Sequence, residues 1–159
     1  RLANHFTPNM QIARYTMPMT ILALDIGKVR TGIAVSDSSE TVASPLRVIP
    51  TAQLLGGSAE FRRLVSDYHN IRLLVGLPIS LDGEEHAQAS WVRDVAATIA
   101  QTYNLELFFY DERRSTSQAT EMMREMGYNA RTMRDKIDMV AAGVFLQSYL
   151  DSLRNEGRQ

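Results

Sequence analysis

A mixed α/β fold, five strands with helices packed on them, is what this chain predicts, on three observations. Strand-like apolar runs come first as a group of three, with no long helical stretch between them, which suits an antiparallel meander. The two later runs alternate with helical stretches, the order that builds parallel pairs through right-handed crossovers. The fourth run is almost wholly apolar, as a strand covered on both faces has to be.

Residues 20–27 and 31–36 read as a hairpin around a basic, glycine-bearing turn. Residues 44–50 read as a third strand whose Pro45 and Pro50 confine it to an edge. Gly56-Gly57-Ser58 supplies a turn and a helix N-cap, and Phe61, Leu64 and Val65 then recur at helical spacing over 59–69. Residues 72–78 form the fourth strand, and Asp82-Gly83 marks the next turn. A long helix over 84–103 carries Trp91, Val92, Val95, Ala96 and Ile99 on one face, which places Trp91 in the core. The fifth strand, 105–110, runs into Asp111-Glu112-Arg113-Arg114. Ser115 is the expected cap of a helix over 116–126, which Gly127 ends. The last helix, 135–153, is expected to bury Ile137, Val140, Ala141, Val144, Phe145, Ser148 and Tyr149.

The 159 residues suit one domain with a substantial core, and 45% hydrophobic against 22% charged residues is ordinary for a globular chain. No apolar run reaches the roughly 18–20 residues that span a bilayer. With no cysteine there is no disulfide, thiolate nucleophile or cysteine-based zinc site, which is compatible with a cytoplasmic protein. The net charge of −1 neither favours nor excludes a nucleic-acid partner. The cations are 15 arginines and two lysines, Lys28 and Lys136, and arginine suits bidentate phosphate contact. Residues 1–18 are polar and irregular, and lack the apolar segment of a signal peptide. They read as a disordered or non-native extension before a single domain over 19–155, with Met19 as a candidate start.

Acidic residues stand where an α/β fold places ligands, at strand ends and a helix start. Asp25 interrupts the apolar first strand, Asp111 and Glu112 close the fifth, and Asp135 and Asp138 share a face at the start of the last helix. An ionised carboxylate among aliphatic neighbours costs several kcal/mol unless cations or donors meet it. Converging carboxylates repel unless divalent ions neutralise them, and all-oxygen ligation selects Mg²⁺ or Mn²⁺ over zinc. Two such ions about 4 Å apart can activate water and stabilise the leaving oxygen of a phosphodiester.

Four stretches carry a family resemblance. Asp25-Ile26-Gly27-Lys28-Val29-Arg30-Thr31-Gly32-Ile33-Ala34-Val35-Ser36-Asp37 resembles the D-x-G-x-x-R-x-G-x-A-x-S-D signature of the YqgF/RuvX family. Val75-Gly76-Leu77-Pro78 with Asp82-Gly83, Asp111-Glu112-Arg113 with Ser115-Thr116, and Lys136-Ile137-Asp138-Met139-Val140-Ala141-Ala142 resemble its later motifs, in family order. The resemblance implies an RNase H-like fold and a metal-dependent nuclease. Members are described as Holliday junction resolvases and as nucleases that mature the 5′ end of pre-16S ribosomal RNA. It implies that Asp25, the Asp111/Glu112 pair and Asp138 hold Mg²⁺ or Mn²⁺. Asp111 and Glu112 stay undistinguished, because both faces of the fifth strand are apolar.

Around these acids, Gly27 and Gly32 would let the hairpin backbone approach a phosphate. Lys28, Arg30, Arg113 and Lys136 would neutralise the scissile strand, and Arg114, standing where the family has leucine, would add a phosphate contact. His86 reads as an isolated surface residue. Processing of pre-rRNA, free or within ribosomal precursor particles, is the leading expectation, by a monomer or weak homodimer. Branched DNA as a resolvase substrate and a non-catalytic nucleic-acid-binding module are the alternatives. A sugar-kinase reading is disfavoured, since such enzymes need a second nucleotide-binding lobe that 159 residues are too few to supply.

Overall fold

The structure, a computed structural model, describes residues 19–129 and 134–157. The expected extension at 1–18 therefore lies outside the described residues. Strands β1 (Thr20–Ile26), β2 (Arg30–Ser36), β3 (Ala43–Pro50), β4 (Ile71–Leu77) and β5 (Glu106–Asp111) form one sheet in the order β3-β2-β1-β4-β5. The first three are antiparallel neighbours, and β4 and β5 join in parallel. This is the predicted mixed sheet, with β3 at an edge.

The period-two alternation of β1 divides its side chains between two cores. Leu22, Leu24 and Ile26 pack beneath helices α1 (Thr51–Gly56), α2 (Ala59–Asp67) and α3 (Ala87–Tyr103), with Leu54, Phe61, Val92 and Ile99. Ile21 and Ala23 face the other way, against Met123 of α4 (Ser117–Glu125) and Ala142, Phe145, Leu146 and Leu150 of α5 (Ile137–Glu156). Asp25 continues the second set, so its carboxylate is directed to the α5 side of the sheet.

Four local expectations are corrected. The short helix α1, between β3 and α2, has no forecast counterpart. Trp91 is half-buried at the margin of its core instead of inside it. A 3₁₀ turn over Glu112–Arg114 delays α4 by one residue, so its cap is Thr116, whose Oγ1 accepts from Ala119 N at 3.0 Å, and not Ser115. Helix α5 departs from the expected face in part. Phe145 and Ser148 are buried and Val140, Val144 and Tyr149 half-buried as expected. Met139, Ala142, Leu146 and Leu150 are buried too, while Ile137 is 48% exposed and Ala141 is exposed. Its sequence is apolar nearly all round, so periodicity alone did not select the stripe. Buried Gln147 completes the docking of α5, accepting from Ala43 N at 2.9 Å and donating to Thr41 O at 3.0 Å.

Candidate active site

Two glycines make room for three carboxylates. Asp25 on β1 lies directly opposite Gly32 on β2. A Cβ at Gly32 would collide with the backbone of Asp138 and Met139, so its absence lets the first turn of α5 rest on the strand. Asp138 is thereby set down beside Asp25. On the other flank β4 carries Gly76, one residue past the Leu24–Val75 pair. A Cβ there would lie 2.6 Å from Glu112 Oε1 and 2.8 Å from Phe145 Cε1. Glu112 therefore reaches back across β4 toward Asp25.

Parity at the end of β5 separates Glu112 from Asp111. Tyr110 faces the α5 core, whereas Leu107 and Phe109 face the opposite one. Glu112 follows the phase of Tyr110 and Asp111 that of Phe109. The Asp111 carboxylate accepts from Arg113 N at 2.9 Å and from Arg113 Nη2 at 2.6 Å, closing the 3₁₀ turn. Those hydrogen bonds hold its pKa below the ordinary carboxylate value. Asp111 and Arg113 thus occupy each other, and the structure brings Glu112, not Asp111, to Asp25.

Burial, then the nearby charges of Glu112 and Asp138, push the Asp25 pKa up to about 7. Glu112 is also raised, chiefly by burial. Among the described residues the cation that pairs with Asp138 is Arg30, whose Nε is 3.9 Å from Oδ2, a long ion pair in half-open surroundings. By donor chemistry the three carboxylates suit a divalent cation, although among the described residues they are not a group whose ligating atoms all lie within 4.8 Å of one another. The side chain of Asp135, a further candidate, lies outside the described residues.

The basic turn before β2 is rigidly tied. Gly27 N donates to Arg30 O at 2.9 Å, and a Cβ on Gly27 would lie 2.7 Å from that oxygen. Gly27 thus serves hairpin closure, and Gly32 is buried against α5. Thr51 Oγ1 donates to Gly27 O at 2.6 Å, Thr51 N donates to Val29 O at 3.0 Å, and Thr31 donates its hydroxyl to Thr51 at 2.9 Å. The buried threonine pair fixes the turn that presents exposed Lys28 and Arg30 beside the acids. Lys136 stands exposed at the N-terminus of α5, and Arg114 lies over the Tyr110 ring, its Cζ 5.6 Å from the centroid.

The threonine pair and the clearance role of Gly76 were missed from the sequence. A glycine inside a buried strand was the available signal for Gly76. His86 is not isolated: its Nε2 is 3.0 Å from Asp82 Oδ2, and the ligating atoms of Asp82, Glu84 and His86 lie within 4.8 Å of one another. All three are exposed, on the loop between β4 and α3.

The family model described as "RuvX: Holliday junction resolvase" matches residues 19–152. The chain belongs to this RuvX family. Among RuvX relatives, a "Putative pre-16S rRNA nuclease" of Chloroflexus aggregans is 37% identical over 86% of this chain and 96% of its own length. A protein of the same name from Paracoccus denitrificans is 35% identical over 94% of this chain and 96% of its own. The solved structure of Thermus thermophilus RuvC covers 86% of this chain and 97% of its own, with a TM-score of 0.54 at 12% identity, a likeness of fold. This RuvX chain is accordingly an enzyme of the nuclease class.

Proposed function

We propose that residues 19–155 form one catalytic domain that cleaves phosphodiester bonds of nucleic acid with Mg²⁺ or Mn²⁺, and that its substrate is the 5′ region of precursor 16S rRNA. The observation that carries the reading is the meeting of Asp25 with Glu112 and Asp138 between two strand glycines, beside a tied basic turn. Asp25, Glu112 and Asp138 would hold the metal. When bound, it supplies Lewis-acid stabilisation of the reacting phosphate and lowers the pKa of an attacking water. The chain's own part is positional. The Thr51-anchored turn holds Lys28 and Arg30 to the phosphate, and Lys136 adds positive charge from the α5 terminus. Asp25, with its raised pKa, would have to be deprotonated to hold a cation, so metal affinity should rise with pH.

Precursor RNA takes precedence over branched DNA because the relatives that match almost the whole chain carry that name. The family description favours the second reading, a junction resolvase. Such an enzyme makes paired cuts as a symmetric dimer, whereas single cleavage of precursor RNA suits a monomer or weak homodimer. Action on precursor particles in the cytoplasm accompanies the rRNA reading. Among the described residues no helix is long and apolar enough to cross a membrane.

The test is a matched cleavage panel of pre-16S RNA and synthetic four-way junctions with Mn²⁺. The expected result is metal-dependent RNA cleavage that Asp25→Asn, Glu112→Gln and Asp138→Asn each reduce by about 10³-fold or more. Symmetric cleavage of junctions alone by a stable dimer would establish the resolvase reading instead. Full activity in all three variants would remove the site assignment.

A further inference from the structure

A groove of about 460 Å³ runs along the β3 edge of the sheet, from the carboxylate site toward α2. Arg30 and Lys136 stand at its end beside the site, and Arg47 of β3 lies farther along, opposite Glu60 of α2. Leu46 and Met139 contribute apolar lining. Three cations against one carboxylate make the groove basic in a chain whose net charge is −1. The asymmetry has a counterpart. A second groove, between α4 and α5 at the opposite end of α5, is lined by Glu121, Glu125 and Asp151 with only Arg154 to oppose them.

Arg47 Nη1 donates to Glu60 Oε1 at 2.8 Å, with both side chains about half exposed. An exposed pair of this kind contributes little to folding. Its position does matter, because a polyanion in the groove would meet Arg47 as a partner and Glu60 as a repulsive neighbour.

We propose that this groove binds the sugar–phosphate backbone of the nucleic-acid strand that carries the scissile phosphate, with Arg47 as a phosphate contact remote from the carboxylates and Glu60 as its competitor. The proposal rests on the nucleic-acid reading above and gives it a direction: the strand leaves the site over β2 and β3. Basic lining suits the phosphates, and the aliphatic lining suits the sugar and base edges.

The test measures equilibrium binding of labelled single-stranded RNA, and of DNA of the same sequence, in EDTA across a salt series. Arg47→Ala should weaken binding about fivefold at low salt and reduce the salt slope by about 0.7. Glu60→Gln should tighten it about twofold or more, although it breaks the same ion pair. Arg124→Ala, which breaks the pair with Glu121 on the acidic surface, should leave binding unchanged. A structural role for the Arg47–Glu60 pair would move both groove variants in the same direction. That result, or no shift in either, overturns the proposal. Equal effects on RNA and DNA identify the shared phosphate as the ligand, whereas loss on RNA alone assigns the groove to RNA. Opposed shifts without metal-dependent cleavage by the wild type would leave the groove standing and defeat the nuclease reading. Normal cleavage without opposed shifts would do the reverse.

Discussion

Asp25 is pushed toward its protonated form by its surroundings. Burial and the charges of Glu112 and Asp138 lift its pKa from 3.8 to about 7, and the only cation near the cluster by ion pair among the described residues is Arg30, through Asp138. The sign of the linkage follows directly. Between about pH 4 and 7 the folded state binds more protons here than the unfolded chain, so stability declines as pH rises through that window. The full shift corresponds to at most about 4 kcal/mol, and partial solvation of the site brings the expectation to about 2 kcal/mol. Metal-free protein should therefore melt at lower temperature at pH 8 than at pH 5.5, and Asp25→Asn should flatten that part of the profile and raise the melting temperature at pH 8. Thermal denaturation in EDTA reads both effects. A wild-type profile as flat as the variant's would mean that Asp25 is ionised and satisfied by groups other than those described.

Gly76 decides how a strand and a 3₁₀ turn share space. With 2.6 Å between a hypothetical Cβ and Glu112 Oε1, Gly76→Ala should fold but displace the carboxylate and crowd Phe145, at a cost of about 1–3 kcal/mol. Mn²⁺ affinity measured by calorimetry should fall about tenfold or more. Combined with Glu112→Asp, which withdraws the carboxylate by one methylene, the alanine should cost far less affinity than it does alone. Equal costs in the two backgrounds would show that the space is not reserved for Glu112. At this scale the legible and illegible parts of the sequence have physical causes. The hairpin, the prolines of β3 and the apolar run of β4 each bear a local signature, and the sheet order follows from them. The choice between Asp111 and Glu112 bears none, because β5 packs Phe109 into one core and Tyr110 into the other. The face of α5 was hidden likewise by an apolar surface nearly all round. Its true orientation is set by Gly32 across the sheet and by Gln147, contacts more than a hundred residues apart in the chain. The four motifs nevertheless span the residues that carry the three carboxylates, whereas Thr51 of α1, which ties the basic turn, lies outside them.

Across the whole molecule, the three carboxylates come from the first strand, the turn after the last strand and the final helix. Their repulsion loads the packing of α5 against β1 and β2, while Gly32 permits that packing to be close. A cation held by Asp25, Glu112 and Asp138 would cross-link these elements in the folded state, and the unfolded chain has no equivalent site. Binding should then appear as global stabilisation, about 2.7 kcal/mol at a hundredfold excess over the dissociation constant. The melting temperature of the wild type should climb steadily with Mn²⁺, by several degrees at that excess for a domain of this size. The rise should be larger at pH 8 than at pH 5.5, because protons compete for Asp25 at the lower value. Asp25→Asn should abolish most of it, whereas Asp111→Asn should retain it, since Asp111 is engaged by Arg113. His86→Ala distinguishes the other grouping of ligating side chains: removing it should leave the rise unchanged if the carboxylate triad is the site. A rise lost in His86→Ala and kept in Asp25→Asn would relocate the cation to the loop between β4 and α3.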